Sequence, residues 1–467
     1  MRSATVRTSV LATATCLTLA ACAQGTAGEG GGGGDAAEFD PEAELSGEMS
    51  IMGFGLSDEI AEVRYAKAQE ALGDGVELSL VEGDLDIQQF LSSVAAGDPP
   101  GLVYANRDQI GTFASRGAIV PLDACIEGER IDTSVFREPS LNQVTFGGSV
   151  YGVPEFNQVQ ITMANASLLD AAGLTVEDVN GSDWEAVTAA TTALTQGNGG
   201  SLSVIGFDSK LPEFLPLWAR SNGVDLLSED GRTAQLDDPA VIEALEFAVG
   251  VYDAQGGFGA VKAYRDAADF FGEGNQFATN VLGAMPMENW YVNVLNEVSA
   301  DATMAFDTFR SKDGEPLAFA GGSAWAIPAG TEDTQGAACR FIRTMTATDT
   351  WMAAAEERVA LRAEQGRLFT GLLTGNAEAD ERIRSELMTE EAPEPWASAI
   401  EAIYEANEAS FTYPANPADA EFKTAWQDGV NRVLNGQASA ADSMAQAQEE
   451  AQAALDEAWS EWDAEQE

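Results

Sequence analysis

Two short runs set an aromatic ring beside amide and charged side chains: Tyr104-Ala105-Asn106-Arg107-Asp108 and Glu288-Asn289-Trp290-Tyr291. A ring can lie against an apolar C–H face while amides, carboxylates and guanidinium groups hydrogen-bond hydroxyls in pairs. Such a pairing suits a polyhydroxylated solute. Asn157-Gln158, Ser57-Asp58 and Gly322-Ser323 are further polar pairs. Ser57 and Asp58 stand ahead of an apolar-periodic run, where helix N–H groups point outward, although capping that helix is the commoner role for such residues. Tyr104 reads equally as a strand-end core residue and Arg107 as a surface charge. Trp218, Trp325 and Trp426 are expected to pack. The chain has no histidine, which removes Ser-His-Asp and Cys-His triads and every His-containing metal site. Two carboxylates about 5–9 Å apart across a cleft would still make a glycosidase, and 76 acidic residues leave that geometry open.

The elements that must position these residues alternate. Met49 to Phe54 is a buried strand, and a helix starts at Ser57-Asp58-Glu59 with Ile60, Val63, Ala71 and Leu72 inward. Val76 to Val81 is a second strand, Phe90, Leu91 and Val94 mark a helix, and Leu102 to Ala105 is a third strand. This spacing implies βαβ units and a mostly parallel sheet, so Tyr104 to Asp108 follows a strand's carboxyl end, where ligands bind in open parallel sheets. Later in the chain, Ser182 and Glu185 form a capping box with Val187, Thr191 and Leu194 on one helical face. Helices are expected over 336–344, 397–409, 420–434 and from Ser439 onward. The last carries Met444, Ala451, Leu455, Trp459 and Trp462 along one stripe.

Residues 146–194 contain, in order, Tyr151, Gly152, Pro154, an extended run, Asn165, then Ala172-Gly173-Leu174 and Trp184-Glu185. This order and spacing resembles the signature region of the carbohydrate-type extracellular solute-binding proteins of bacterial ABC importers, the group that includes the maltose-binding proteins. Patterns around Val103-Tyr104, 270–290, 320–328 and 435–451 extend the resemblance over almost the whole exported chain. It implies an α/β fold of two lobes, with mostly parallel sheets flanked by helices and a hinge between them. The lobes would comprise 48–156 with 322–360, and 157–321 with 361–467. It also implies a non-catalytic receptor for a mono- or oligosaccharide, without cofactor or bound metal, monomeric, that delivers its solute to a membrane permease. Relatives of this architecture also take polyols, glycerol phosphates, polyamines or metal ions. The implied ligand contacts are Trp290, Asn289, Tyr104, Asn106, Arg107, Asn157, Gln158, Ser57, Asp58, Gly322 and Ser323.

The ends of the chain add a location. Arg2 and Arg7 precede an apolar run from Val10 to Ala21, too short to span a bilayer, that reads as a signal peptide over 1–21. Leu19-Ala20-Ala21-Cys22 matches a bacterial lipobox, so Cys22 is the expected lipid-carrying residue, on the outer face of the cell membrane. Residues 22–47, rich in glycine and acids, read as a flexible tether with a mean span of about 25–30 Å. Only Cys125 and Cys339 remain beyond it. An oxidising exterior favours their pairing, and the resemblance places both in one lobe; two buried free thiols is the alternative. The formal charge of −52 excludes nucleic acid and anionic membrane surfaces as partners and disfavours a strongly anionic solute.

Overall fold

The structure, a computed structural model, describes residues 39–81, 83–198, 201–389 and 391–466. The leader over 1–21, Cys22 and most of the expected tether lie outside the described residues.

Two five-stranded sheets organise the chain. The first is built from β1 (Gly47–Met52), β2 (Val76–Val81), β3 (Leu102–Asn106), β4 (Val153–Gln158) and the late strand β10 (Gly321–Ala326), in the order β2-β1-β3-β10-β4. The second holds β5 (Gln160–Asn165), β6 (Gln196–Asn198), β7 (Ser201–Phe207), β8 (Leu282–Glu288) and β9 (Met304–Thr308), in the order β9-β5-β8-β7-β6. The expected parallel pairing holds for the opening βαβ units, where β1 pairs in parallel with β2 and β3. It gives way at the crossings. β10 returns from the far half and runs antiparallel to both β3 and β4, and β5 enters the second sheet antiparallel to β8 and β9. Val159 alone separates β4 from β5 and is fully buried, so the chain changes sheets without a loop.

Helix ends follow local chemistry. α1 (Glu59–Leu72) is capped by Asp58, whose carboxylate accepts from the Ala61 N–H at 2.9 Å. α2 (Trp184–Leu194) corrects the expected capping box: the cap is Asp183, which accepts from the N–H groups of Glu185 and Ala186. Ser182 instead donates to Asn180 Oδ1 at 2.7 Å. The inward positions stand as read, with Val187, Thr191 and Leu194 buried.

In the first half, α3 (Gln335–Thr346) and α4 (Thr348–Glu364) pack on α1. A disulfide joins Cys125 to Cys339, bridging 214 positions of sequence inside the first core. Arg64 of α1 and Glu155 of β4, both without solvent exposure, form an ion pair there, and the guanidinium lies 4.0 Å from the Trp351 ring centroid. Residues 377–387 pack on α4, through Ala379 against Trp351 and Ile383 against Met352. Past the expected boundary at 361 the chain touches both halves: Arg362, Leu368 and Thr370 bond to Glu297, Asn296 and Asn293 of the second, and residues 377–387 bury apolar faces on the first. α5 (Trp396–Glu408) then packs on β9 and β5 of the second half.

α6 (Asp419–Leu434) and α7 (Ala440–Glu465) complete the second core. The expected α7 stripe splits by depth. Met444, Ala447, Ala451 and Leu455 are fully buried, whereas Trp459 and Trp462 reach back to Phe146 of the first half, with ring centroids 5.4 and 4.6 Å away.

Candidate ligand-binding cleft

Between the two sheets lies a cavity of about 280 Å³, near the lower end of the size range of small-molecule sites. Its walls come from both halves. β3 and the turn after it supply Asn106, Arg107 and Asp108, the ends of β4 and β10 supply Gln158, Gly321 and Gly322, and the second half supplies Gln160, Glu288, Glu213 and Phe214. Tyr413 to Asn416 and one face of α6 close it. That face shows Asp419, Phe422, Lys423 and Trp426 at helical intervals of three and four.

Arg107 is the most constrained group on the wall. It is wholly buried and donates through Nε to Gln143 Oε1 at 2.9 Å, through Nη1 to the Phe156 carbonyl at 2.8 Å, and through Nη2 to Asn157 Oδ1 at 2.7 Å and the Gly321 carbonyl at 2.5 Å. Gly322, at φ 148°, leaves room for it: a Cβ there would stand 2.8 Å from Arg107 Nη1. Burial lowers the guanidinium's hold on its proton, against the pull of Tyr104 and Asp108. The bonds continue outward. Asn157 Nδ2 donates to Asn407 Oδ1 at 2.6 Å, and Asn407 Nδ2 to Asp380 Oδ2 at 3.1 Å, where Arg137 Nη2 also donates at 3.2 Å. A buried polar chain therefore links the cavity wall to α5. Each member has its partner, as low-dielectric surroundings require.

Several other wall groups are committed. Gln160 Oε1 accepts from the Phe319 N–H at 2.9 Å, and Lys423 Nζ sits 2.6 Å from Asp108 Oδ2. Asp419 keeps some solvent contact but is hemmed in; enclosure by protein, then the neighbouring Asp108, push its carboxyl well above the usual carboxylate range. Groups that show no protein hydrogen bond among the described residues include the side chains of Gln158, Glu213 and Gln427 and the Oε1 of Glu288. Phe319, Phe422 and Trp426 also border the cavity, the last two largely buried in the second core.

Of the residues expected to touch a solute, the structure brings Asn106, Arg107, Gln158 and Gly322 together at this wall. The others stand elsewhere. Trp290 opens the helix Trp290–Val298 outside the cavity, where its Nε1 donates to Glu288 Oε2 at 2.7 Å and its ring lies near that of Phe271, 6.0 Å away at 16°. It therefore touches the wall through Glu288. Asn289 pairs with the backbone of Val159 through its N–H and its Oδ1. Asn157 is buried in the Arg107 chain. Tyr104 packs with Trp325, centroids 4.7 Å apart. Ser57 is exposed ahead of α1, Asp58 caps α1 and pairs with Arg358 at 2.7 Å, and Ser323 faces Asn106 across the sheet. Trp426, expected to pack rather than to touch a solute, is 5% exposed within the second core and also borders the cavity. Its signal was the α6 pattern: Asp419, Phe422, Lys423 and Trp426 share one stripe, on which Lys423 reaches Asp108 of the first half.

Residues 64–360 match the family model described as bacterial extracellular solute-binding protein. No curated protein matches the sequence. Solved structures do match in fold. The protein titled CpMnBP1 with mannobiose bound superposes with a TM-score of 0.68 at 18% identity, over 88% of this chain and all of that one (100%). An ABC transporter solute binding protein from Thermotoga lettingae TMO, bound with alpha-D-tagatose, gives 0.66 at 20% identity over 88% of this chain and 100% of its own. The sugar-binding protein MalE from Xanthomonas citri gives 0.67 at 14% identity over 90% and 100%.

Proposed function

The chain belongs to the bacterial extracellular solute-binding proteins, and we propose that it is the sugar receptor of an ABC importer, capturing a mono- or disaccharide between its halves without turning it over. The observation that carries this reading is the cavity itself. It is closed by both sheets, lined by aromatic faces next to amides and carboxylates, and small. Rings stack on pyranose C–H faces, and paired oxygens and amides hold hydroxyls. Two structural neighbours with sugars in their titles support the same class. The permease contact, the lipid at Cys22, the attachment to the outer face of the membrane and the monomeric state belong to this proposal, as do the lobe limits and a hinge at Val159.

A thermal-unfolding screen of the purified protein against mono- and disaccharides, polyols, amines and amino acids tests it. A solute at a hundred times its dissociation constant adds about 2.7 kcal/mol of stability, so one sugar family should raise the melting temperature while overnight incubation yields no product. A response confined to non-sugars would overturn the substrate class. Sugar products in the incubation would return a glycosidase.

A further inference from the structure

We infer that the cleft prefers a sugar carrying an amino group and turns away sugars carrying a carboxylate or phosphate. The inference rests on the reading of the cavity as a sugar site and adds the charge of the solute. An anion there would gain most from a cation on the wall, and both wall cations already hold protein partners. Arg107 gives four of its five N–H bonds to Gln143, Phe156, Asn157 and Gly321, with no exposed surface. Its charge is met by four fixed dipoles, and Gly322 packs over the guanidinium. Lys423 is paired with Asp108.

The acids are not balanced in the same way. Glu213 and Glu288 lie on the wall, and neither has an Arg or Lys partner among the ion pairs of the described residues. Glu288 is also held in place, since Trp290 Nε1 donates to its Oε2 and leaves Oε1 for a solute. A fixed carboxylate on the cavity wall is the arrangement that favours an ammonium group, because charge-assisted hydrogen bonds are about twice as strong as neutral ones. The chain's formal charge of −52 raises the local concentration of cationic solutes and repels anions on approach. In this arrangement Trp290 is a positioning residue that acts through Glu288.

The test uses matched hexose sets in which one hydroxyl-bearing group changes: glucosamine, glucose and glucuronate, with the galacto and manno sets, read by calorimetry at low and high salt. The amine member of one set should bind at least roughly tenfold tighter than the neutral member, the difference between a charged and a neutral hydrogen bond. The uronate should give no heat, and the amine's advantage should shrink with salt. N-Acetylglucosamine, which has lost the charge, should fall back to the neutral value. Glu288→Gln should cut the ratio of amine to neutral affinity; Trp290→Phe, which keeps the ring and removes the N–H, should cut it less, and this second variant stands in if the first does not fold. Neutral binding equal to or tighter than amine binding overturns the inference and leaves the sugar reading standing. Uronate binding overturns it as well. Silence from every member of every set overturns both.

Discussion

Gly111→Ala is the substitution that would show whether the two halves are held shut along one edge of the cavity. Gly111 is buried in the short helix Ile110–Ser115 of the first half and faces the start of α6. A Cβ at that position would stand 2.6 Å from Asp419 Oδ2 and 2.7 Å from Asn416 N. Overpacking of this kind costs about 1–3 kcal/mol. The seam it would wedge open is otherwise held by Lys423 on Asp108 and Arg116 on Glu421, each at 2.6 Å, and by Ser115 Oγ donating to the Pro417 carbonyl at 3.2 Å. Lys423 and Asp108 are 47% and 37% exposed, and such pairs contribute about 0–1 kcal/mol each. The wedge is comparable to what resists it locally, since the Ser115 hydrogen bond adds about 0.5–1.5 kcal/mol, and falls well short of a domain's stability of about 5–15 kcal/mol. Alanine also improves the helix by roughly 0.5–1 kcal/mol over glycine. The expected result is a folded protein with an opened seam: faster hydrogen exchange over 110–115 and 416–423, a larger radius of gyration in X-ray scattering, and weaker solute binding. Unchanged exchange and scattering would refute the seam as a closure contact, since the collision is with backbone and cannot be relieved by a rotamer.

Other perturbations test neighbouring parts of the same account. Because the Asp419 carboxyl is raised by enclosure and by Asp108, with Glu421 adding to the rise and Asn416 and Lys423 opposing it, its protonated form favours the native state. That contribution is full below about pH 4 and is lost as pH rises through the raised value; melting temperatures of the wild type should fall more steeply from acid toward neutral pH than those of Asp419→Asn, and equal slopes would exclude the effect. Closing a loop of 214 positions, the Cys125–Cys339 bridge should contribute about 2–5 kcal/mol, so reduction or Cys125→Ser must lower the denaturant midpoint, and an unmoved midpoint would show the bridge to be inert. Trp426→Ala should cost about 1–3 kcal/mol of solute binding if its ring stacks on the sugar; loss of folding stability without loss of affinity would make it a core residue only.

The alternating framework was legible because each element announces itself over a few adjacent residues. β1 to β3, α1 and the caps need only apolar period and a polar residue at the boundary, and even there Ser182 and Asp183 are adjacent acceptors between which local chemistry does not choose. The cleft was legible only in part, because a binding wall is assembled from contacts distant in sequence. Arg107 reads alone as a surface charge, and becomes a buried strut through Gln143, Asn157 and Gly321, which lie 36, 50 and 214 positions away. Trp290 reads as a stacking ring from the segment that it ends; its further contacts come from the fold, which sets Asn289 on the Val159 backbone and the indole N–H on Glu288. Trp426, next to Gln427 in the chain, meets Asp419, Phe422 and Lys423 only around the turn of α6. For a cleft between two sheets, helical period on the last element to close it carries more of the site than any adjacent pair, since that helix must present one face to the second core and another to the solute.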